Sequence, residues 1–217
     1  MSFTYGNTRD TLIDREGFLS TAGIDYRAVV CAAQVHTSNV ICAGEKDKGR
    51  GALSAHTAIS DTDALVTNVR RLPLAVFTAD CLPVFLYDPF QKVIAVVHAG
   101  WRGSKDKISV KALQLMCDRF NSSPENVLAG FGPALRSCCY EVGREFKNYF
   151  PEGIIERGAQ MFCDLSGINK SQLLGSGVKE KNISDSGHCT SCKNFKYFSY
   201  RKEGDSAGRM ISVIMLK

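Results

Sequence analysis

Residues 78–103 read TADCLPVFLYDPFQKVIAVVHAGWRG, which is the pattern of a polar loop, two apolar strands joined by a tight turn, and a second polar loop that opens a helix. Val84–Tyr87 and Val93–Val97 are apolar and rich in β-branched residues, as is typical of strands. Asp88–Gln91 lies between them and has the composition of a turn. We therefore predict a β-hairpin whose loop is Asp88–Gln91.

This loop also predicts how the two strands pair. If Asp88–Gln91 is the loop, Tyr87 faces Lys92, and counting back along both strands puts Cys81 opposite His98. Directly paired positions of an antiparallel pair have Cβ atoms ~4.5–5.5 Å apart. A thiolate and an imidazole would then converge beside the next loop. That is the geometry of a metal site or of a nucleophilic Cys/His pair.

The length and composition are those of an ordinary globular chain. The 217 residues suffice for one domain with a full core, or at most two small domains. The net charge of +5 is small, and the basic residues form no stripe along the sequence. This charge is compatible with binding small anions such as phosphate but does not indicate nucleic-acid binding. No apolar run approaches ~18 residues, and no signal peptide is visible, so we expect no membrane span.

The nine cysteines do not indicate a disulfide framework, because their number is odd and no signal peptide accompanies them. Four lie in or beside apolar segments and are predicted to be small buried hydrophobes: Cys31, Cys42, Cys117 and Cys163. Cys189 and Cys192 form a C-x-x-C pair, but no second pair follows at zinc-finger spacing, so we assign it no metal. Cys138 and Cys139 either line a pocket or pack.

The rest of the chain predicts a single α+β domain over residues 1–217, with several strands of each sense. Helices are predicted at Thr8–Leu19, after Gly103 with apolar positions from Ile108 to Phe120 on one face, at Arg144–Phe150 and at Asp164–Leu174. Further strands are predicted at Ala28–Val35, Asp61–Thr67, Leu72–Phe77, Val127–Phe131, Lys196–Tyr200 and Met210–Leu216. Ser104 is the predicted N-cap of the helix that follows the hairpin.

A third candidate ligand, His36, is delivered by the end of the predicted strand Ala28–Val35. A His/Cys/His set suits zinc or copper, and catalytic zinc sites commonly use three protein ligands with a fourth position open. The same residues also fit a metal-free Cys/His-dependent hydrolase, with Cys81 as nucleophile and His98 as its base. Asp80 or a backbone carbonyl would then orient the ring. The residues alone leave both interpretations open.

The loop Gly100–Gly103 leads directly into a predicted helix N-terminus. Free backbone N–H groups and the helix dipole favour an anion there, and Arg102 can add a bidentate contact to phosphate or carboxylate. In the alternative interpretation, Trp101 is a packing residue and Arg102 is a surface ion-pair partner.

Taken together, the motifs resemble those of a known family. The matching segments occur in the family's order: Gln34–His36, Asp63–Thr67, Thr78–Val84, His98–Gly103, Gly132-Pro133, Cys139–Gly143, Cys189-Thr190, Phe198–Arg201 and Gly208–Met210. They are similar to the motifs of the laccase-domain family, also called YfiH-like or multicopper polyphenol oxidases and now regarded as purine nucleoside phosphorylases.

The resemblance implies that His36, Cys81 and His98 are metal ligands, for zinc in most cases and copper in some. It implies phosphorolysis of adenosine, inosine and methylthioadenosine to the free base and ribose 1-phosphate, with adenosine deamination as a second activity. It also implies a compact fold of central mixed β-sheets packed by helices, in α/β/β/α-type layers, and a cytoplasmic location. The expected partners are a purine nucleoside and phosphate, and no protein partner is indicated.

Five further residues take candidate roles in such a site. Gly100 and Arg102 are candidates for phosphate binding at the helix start. Asp80 is a candidate for protonating the leaving base or for supporting the metal. Arg201 would bind phosphate or stack on a purine, and Tyr140 would contact the substrate.

Two alternatives remain from the sequence. A true multicopper oxidase needs many histidines, and the chain has four, so a polyphenol oxidase-type copper enzyme is disfavoured. Family members usually begin with a further strand and loop before the part that matches Phe3–Asn7. If that segment supplies a pocket arginine or wall, activity would be reduced or altered, and a non-catalytic binding protein is the alternative.

Overall fold

The structure is a computed structural model that describes residues 1–3 and 8–217. The strands are β1 (Val30–Cys31), β2 (Val40–Cys42), β3 (Ala64–Thr67), β4 (Leu74–Thr78), β5 (Leu82–Asp88), β6 (Val93–Ala99), β7 (Leu128–Phe131), β8 (Glu141–Val142), β9 (Ile154–Arg157), β10 (Gln160–Cys163), β11 (Ile183–Asp185) and β12 (Met210–Ile214). The helices are α1 (Thr8–Thr21), α2 (Trp101–Lys105), α3 (Ile108–Phe120), α4 (Phe146–Tyr149), α5 (Leu165–Gly175) and α6 (Tyr200–Glu203).

A six-stranded mixed sheet with the order β11-β7-β5-β6-β3-β2 forms the centre. The pairs β7/β5, β5/β6 and β6/β3 are antiparallel, whereas β11/β7 and β2/β3 are parallel. Two smaller sheets have the orders β1-β4-β12 and β8-β10-β9. The predicted mixture of strand senses is therefore confirmed.

Strand β6 shows why the sheet is covered on both faces. All seven of its residues are buried, as expected of a strand in the middle of a layered fold. Since side chains alternate along a strand, Val93, Ala95 and Val97 pack with apolar residues of α3 and α5. Ile94 and Val96 point the other way and pack with residues of β1 and β4 in the second sheet.

The outer face of that second sheet is covered in turn. Leu19 of α1 packs with Cys31, Ala75 and Ile211 from the three strands of the β1-β4-β12 sheet. The order of layers is thus helix, sheet, sheet, helix, which confirms the predicted α+β class and its α/β/β/α-type layers. In the described part of the chain, no helix combines the length and apolarity needed to cross a membrane.

The hairpin forms, but its predicted register is wrong. The loop is residues 89–92, and Asp88 still pairs with Val93, so Tyr87 faces Ile94 rather than Lys92. The cause is the Asp88 side chain, whose Oδ1 accepts hydrogen bonds from the backbone of Phe90 and Gln91 and closes the turn from within the strand.

As a result, the residue opposite His98 is Pro83 and not Cys81, which lies just before β5. The pairing is shifted by two positions in total. Because side chains have a period of two along a strand, this shift leaves Cys81 and His98 on the same face.

Two predicted strands are also wrong in extent or kind. Ala28–Val35 contains only the two-residue strand β1, after which the backbone makes an isolated bridge from Ala32 to Ile59 and leaves the sheet. Lys196–Tyr200 is not a strand, because the backbone N–H groups of Lys196 and Tyr197 close turns onto the Lys193 carbonyl and α6 begins at Tyr200.

Ser104 is not an N-cap, which corrects the prediction for the helix after the hairpin. Gly100 caps the short helix α2, and Lys107 then adopts a left-handed conformation (φ 57°) that separates α2 from α3. The buried Ser104 hydroxyl instead accepts a hydrogen bond from Asn169 of α5 at 2.9 Å. Helix α3 therefore begins at Ile108 and not directly after Ser104, and Asp164 is the N-cap of α5.

Candidate metal centre

The structure brings together His36, Cys81 and His98, which come from three different parts of the chain. Each offers one donor atom, and these atoms all lie within 4.8 Å of one another. His98 is on β6, Cys81 directly precedes β5, and His36 lies in the connection between β1 and β2. The two imidazole rings are 4.8 Å apart and nearly perpendicular, at 78°.

Asp63, just before β3, holds two of these donors in place. Its fully buried carboxylate accepts a hydrogen bond from Nδ1 of His98 at 2.7 Å, which leaves Nε2 of that ring for a ligand. It also accepts hydrogen bonds from the backbone N–H groups of Val35, His36 and Thr37. One carboxylate therefore orients the His98 ring and fixes the backbone that carries His36.

Two non-glycine residues, one of the donors and the residue that precedes another donor, adopt left-handed backbone conformations. They are His36, with φ 62°, and Asp80, with φ 85°. Such conformations are uncommon outside glycine and persist where surrounding contacts hold them. Asp63 supplies those contacts at His36, so the fold maintains a strained backbone where a donor side chain is presented.

The charges at the centre favour a thiolate. Burial raises the pKa of the Cys81 thiol, but the His98 and His36 imidazoles outweigh it and lower that pKa to about 6. Burial lowers the pKa of His98, but the Cys81 thiolate and the Asp63 carboxylate outweigh it and raise that pKa to about 9. At neutral pH the pair is therefore a thiolate beside an imidazolium, and a metal ion that binds there would take the place of the His98 proton.

Gly100 leaves the space that these donors need. A Cβ atom on Gly100 would lie 3.2 Å from Sγ of Cys81 and 3.3 Å from Cδ2 of His36. One thiolate and two imidazoles, with a carboxylate behind one ring, form a donor set that fits zinc or copper. The residues present therefore fit the metal that the family implies.

The three donors line a cavity of about 620 Å³. This volume is within the usual range of small-molecule sites. Asp80, Trp101, Tyr140 and Arg201 also line it. Trp101 stacks on Tyr149 with centroids 5.5 Å apart, so this side of the cavity is aromatic.

Asp80 and Arg201 are joined to each other. One Asp80 carboxylate oxygen accepts the backbone N–H of Arg201 at 2.6 Å, and the other accepts the hydroxyl of the buried Thr190 at 2.5 Å. The Arg201 guanidinium donates to the carbonyls of Cys139 and Glu141 at 3.2 and 3.0 Å. Asp80 thus positions the segment that carries Arg201.

Arg102 is placed differently from the other candidates. Among the described residues, the cavity lining includes Trp101 but not Arg102. The Arg102 guanidinium lies over the Trp101 ring, 4.6 Å from its centroid. The structure thus separates Arg102 from the group of Asp80, Tyr140 and Arg201.

Asp63 and Thr190 are site residues for which the sequence motifs predict no role. Both lie in the segments that carry the family resemblance, and Asp63 precedes a wholly buried strand. The acidic Asp63 directly before a buried strand was the one sequence feature that could have indicated its role. Its hydrogen-bond partners, His98 on β6 and the backbone of His36, are distant in sequence and are not specified by local pattern.

Sequence and structure comparisons place the chain in a family. A family model described as multi-copper polyphenol oxidoreductase laccase matches residues 4–217, so the chain belongs to this family, as its motifs predict. Purine nucleoside phosphorylase YlmD of Bacillus subtilis (strain 168) is 31% identical over 216 residues, covering 96% of this chain and 78% of that protein.

Two further relatives support the same assignment. Adenosine deaminase RL5, from an unknown prokaryotic organism, is 31% identical over 204 residues, covering 90% of this chain and 78% of that protein. The crystal structure of YlmD from Geobacillus stearothermophilus superimposes with a TM-score of 0.96 at 30% identity, covering 100% of this chain and 84% of that one.

Proposed function

We propose that the chain is a metal-dependent purine nucleoside phosphorylase whose metal ion is held by His36, Cys81 and His98. The observation that carries the proposal is the convergence of these three donors, within 4.8 Å, on the wall of a cavity of about 620 Å³. Zinc is the first candidate for the ion, and copper is the second. When bound, the ion supplies Lewis-acid chemistry, including the activation of water.

Phosphorolysis makes two demands on the protein besides the metal. A phosphate oxygen must reach C1′ of the ribose, and the purine must leave with a proton as its bond to C1′ breaks. Arg15, Arg201 and Arg209 line the cavity, and we assign phosphate to Arg201 because its guanidinium lies over Tyr140, 5.7 Å from the ring centroid, and is held by two backbone carbonyls. A guanidinium has five N–H donors, so further donors can bind an anion.

The aromatic side of the cavity is suited to the purine. Tyr140 and Trp101 both line it, and the Tyr140 ring is supported edge-on by Phe146, with centroids 6.1 Å apart. Offset or edge contacts between aromatic rings contribute about 0.5–1.5 kcal/mol beyond the area they bury. Asp80 acts in this proposal by fixing the backbone of Arg201.

Adenosine deamination is the second candidate activity. The donor set of one thiolate and two imidazoles is related to that of zinc deaminases, in which an activated water attacks the purine or pyrimidine ring. The similarity to a relative named adenosine deaminase also favours it. A reducing compartment such as the cytoplasm suits either activity, because all nine cysteines are free thiols.

One incubation separates the candidates. Zinc-loaded protein is mixed with adenosine, with and without phosphate, and adenine, ribose 1-phosphate and inosine are followed by chromatography. Adenine release that requires phosphate supports the phosphorylase. Inosine formation alone supports a deaminase, and no product from folded, zinc-loaded protein supports a binding protein and contradicts the proposal.

A further inference from the structure

A second group of metal-binding side chains lies apart from the centre described above. It consists of Cys138, Cys139, Cys189 and Cys192, whose four Sγ atoms all lie within 4.8 Å of one another. The first pair precedes β8, and the second lies in the loop between β11 and α6. We call these four residues the cysteine cluster.

The distances within the cysteine cluster match those around a single ion. Sγ of Cys192 lies 3.6 Å from Sγ of Cys138 and 3.4 Å from Sγ of Cys139. Zinc bound tetrahedrally to four sulfurs at ~2.3 Å would separate the sulfurs by about 3.8 Å. A disulfide would bring them to about 2.0 Å. The cysteines are thus arranged as in a tetrathiolate site.

We propose that the cysteine cluster binds one zinc ion as a closed structural site. Four protein sulfurs fill a tetrahedral coordination shell and leave no position for water or substrate. The sequence alone did not indicate this site, because one pair is vicinal, the other is C-x-x-C, and Cys138 and Cys192 are 54 positions apart.

The position of the cysteine cluster gives the zinc ion a specific task. Tyr140, which lines the cavity, directly follows Cys139, and Thr190, which binds Asp80, directly follows Cys189. The Cys139 carbonyl also accepts a hydrogen bond from Arg201. The ion would therefore join the two loops that form this wall of the cavity.

The test measures metal content and coordination in Cys81→Ala, which leaves the cysteine cluster intact. The protein is expressed with added zinc, purified under reducing conditions, and examined by elemental analysis and zinc-edge X-ray absorption. We expect about one zinc per chain, bound by four sulfurs at ~2.3 Å. The wild type should hold about two zinc ions per chain, and its zinc-edge spectrum should show an average of nitrogen and sulfur ligands from the two sites.

Matched cysteine variants assign the site. Cys192→Ser should remove the four-sulfur zinc, whereas Cys117→Ser, which alters a partly buried cysteine on α3, should keep the wild-type zinc content. Cys81→Ala protein that is folded but holds no zinc would overturn the inference. Iron in place of zinc, or a disulfide from Cys192 to Cys138 or Cys139 in the freshly isolated protein, would also overturn it.

This inference is independent of the proposed function. The Cys81→Ala protein lacks a ligand of the other centre, so its zinc content reports only on the cysteine cluster. A failed phosphorylase assay would not contradict a four-sulfur zinc site, and absence of that zinc would not by itself contradict the proposed phosphorylase activity, because each is measured in its own experiment.

Discussion

Two regions of the molecule use cysteine sulfur in opposite ways. One is the centre formed by His36, Cys81 and His98, and the other is the cysteine cluster. The centre has three donors of two kinds, opens onto a cavity of about 620 Å³, and has a buried carboxylate behind it. The cysteine cluster has four donors of one kind and lies partly exposed, on two loops. Three donors leave a coordination position for chemistry, whereas four sulfurs close the shell and hold loops together.

The two regions also differ in what holds their ligands. His98 is a strand residue in the middle of the central sheet, and Asp63 ties its ring to the His36 loop. The cysteine cluster has no strand residue, and its loops are joined by an isolated bridge from Ala134 to Cys189 and by side-chain hydrogen bonds such as that from Arg136 to the His188 carbonyl. We therefore expect substitutions near the centre to reduce activity more than they reduce stability. Substitutions in the cysteine cluster should reduce stability more than they reduce activity.

The largest effect is expected from Cys81→Ala. It removes a direct metal ligand, so phosphate-dependent adenine release should fall by more than the roughly 10–100-fold that losing a residue behind a ligand costs. Cys117→Ser is the control and should keep wild-type activity. Full activity in Cys81→Ala protein would show that the cavity works without this thiolate.

Asp63→Asn tests the residue behind the ligands. The amide keeps the volume of the carboxylate but loses the charged acceptor for Nδ1 of His98, so zinc affinity of the centre should fall by roughly 10–100-fold. Competition with a chromophoric chelator measures this affinity.

Asp88→Asn is the matched control, because Asp88 is equally buried and retains its accepting Oδ1 in the hairpin turn. It should leave zinc affinity unchanged. Equal losses of zinc affinity in Asp63→Asn and Asp88→Asn would mean that the effect of Asp63 is one of general stability.

Arg201→Ala and Arg102→Ala test which of these two arginines contributes more to phosphate binding. Charge-assisted hydrogen bonds contribute about 1.5–3 kcal/mol, so losing Arg201 should raise the KM for phosphate by roughly tenfold or more. Arg102 lies over Trp101 outside the described lining of the cavity, and its loss should change that KM less. The opposite order would restore the role that the sequence predicts for Arg102.

Gly100→Ala should have the smallest effect on the centre. The added Cβ would lie 3.2 Å from Sγ of Cys81, so the donors must move by a few tenths of an ångström. We expect zinc affinity of the centre to fall by up to about tenfold, while the four-sulfur zinc is kept.

Gly17→Ala is its control, since nothing lies within 4 Å of a Cβ on this α1 residue. It should stabilise the protein by roughly 0.5–1 kcal/mol. Unchanged zinc affinity in Gly100→Ala would show that the ligands can move away from the added Cβ without weakening zinc binding.

The hairpin that carries Cys81 and His98 shows which structural features the sequence predicts and which it does not. The hairpin follows from apolar strands around a turn, and the approach of Cys81 to His98 survives a wrong register because the error was two positions. The register itself depends on the hydrogen bonds of one side chain, Asp88, which composition does not reveal. Local pattern is therefore sufficient for the hairpin but not for its pairing.

The remaining contacts depend on tertiary structure. Asp63 meets His98 only because β3 pairs with β6, and Cys138 meets Cys192 only because two loops come together beside β8. The anion-binding role of Arg102 stays a prediction, and its guanidinium lies over the neighbouring Trp101 ring. Neither spacing nor periodicity specifies these long-range pairings and side-chain directions.

Metal removal and reconstitution test the central claim most directly. The wild-type protein is stripped with a chelator, zinc is added back in steps, and ribose 1-phosphate formed from adenosine and phosphate is measured at each step. We predict that activity disappears on stripping and returns in proportion to zinc at the centre of His36, Cys81 and His98, while Cys81→Ala stays inactive throughout. Equal product formation by stripped and reconstituted protein, or none from the reconstituted protein, would contradict the account.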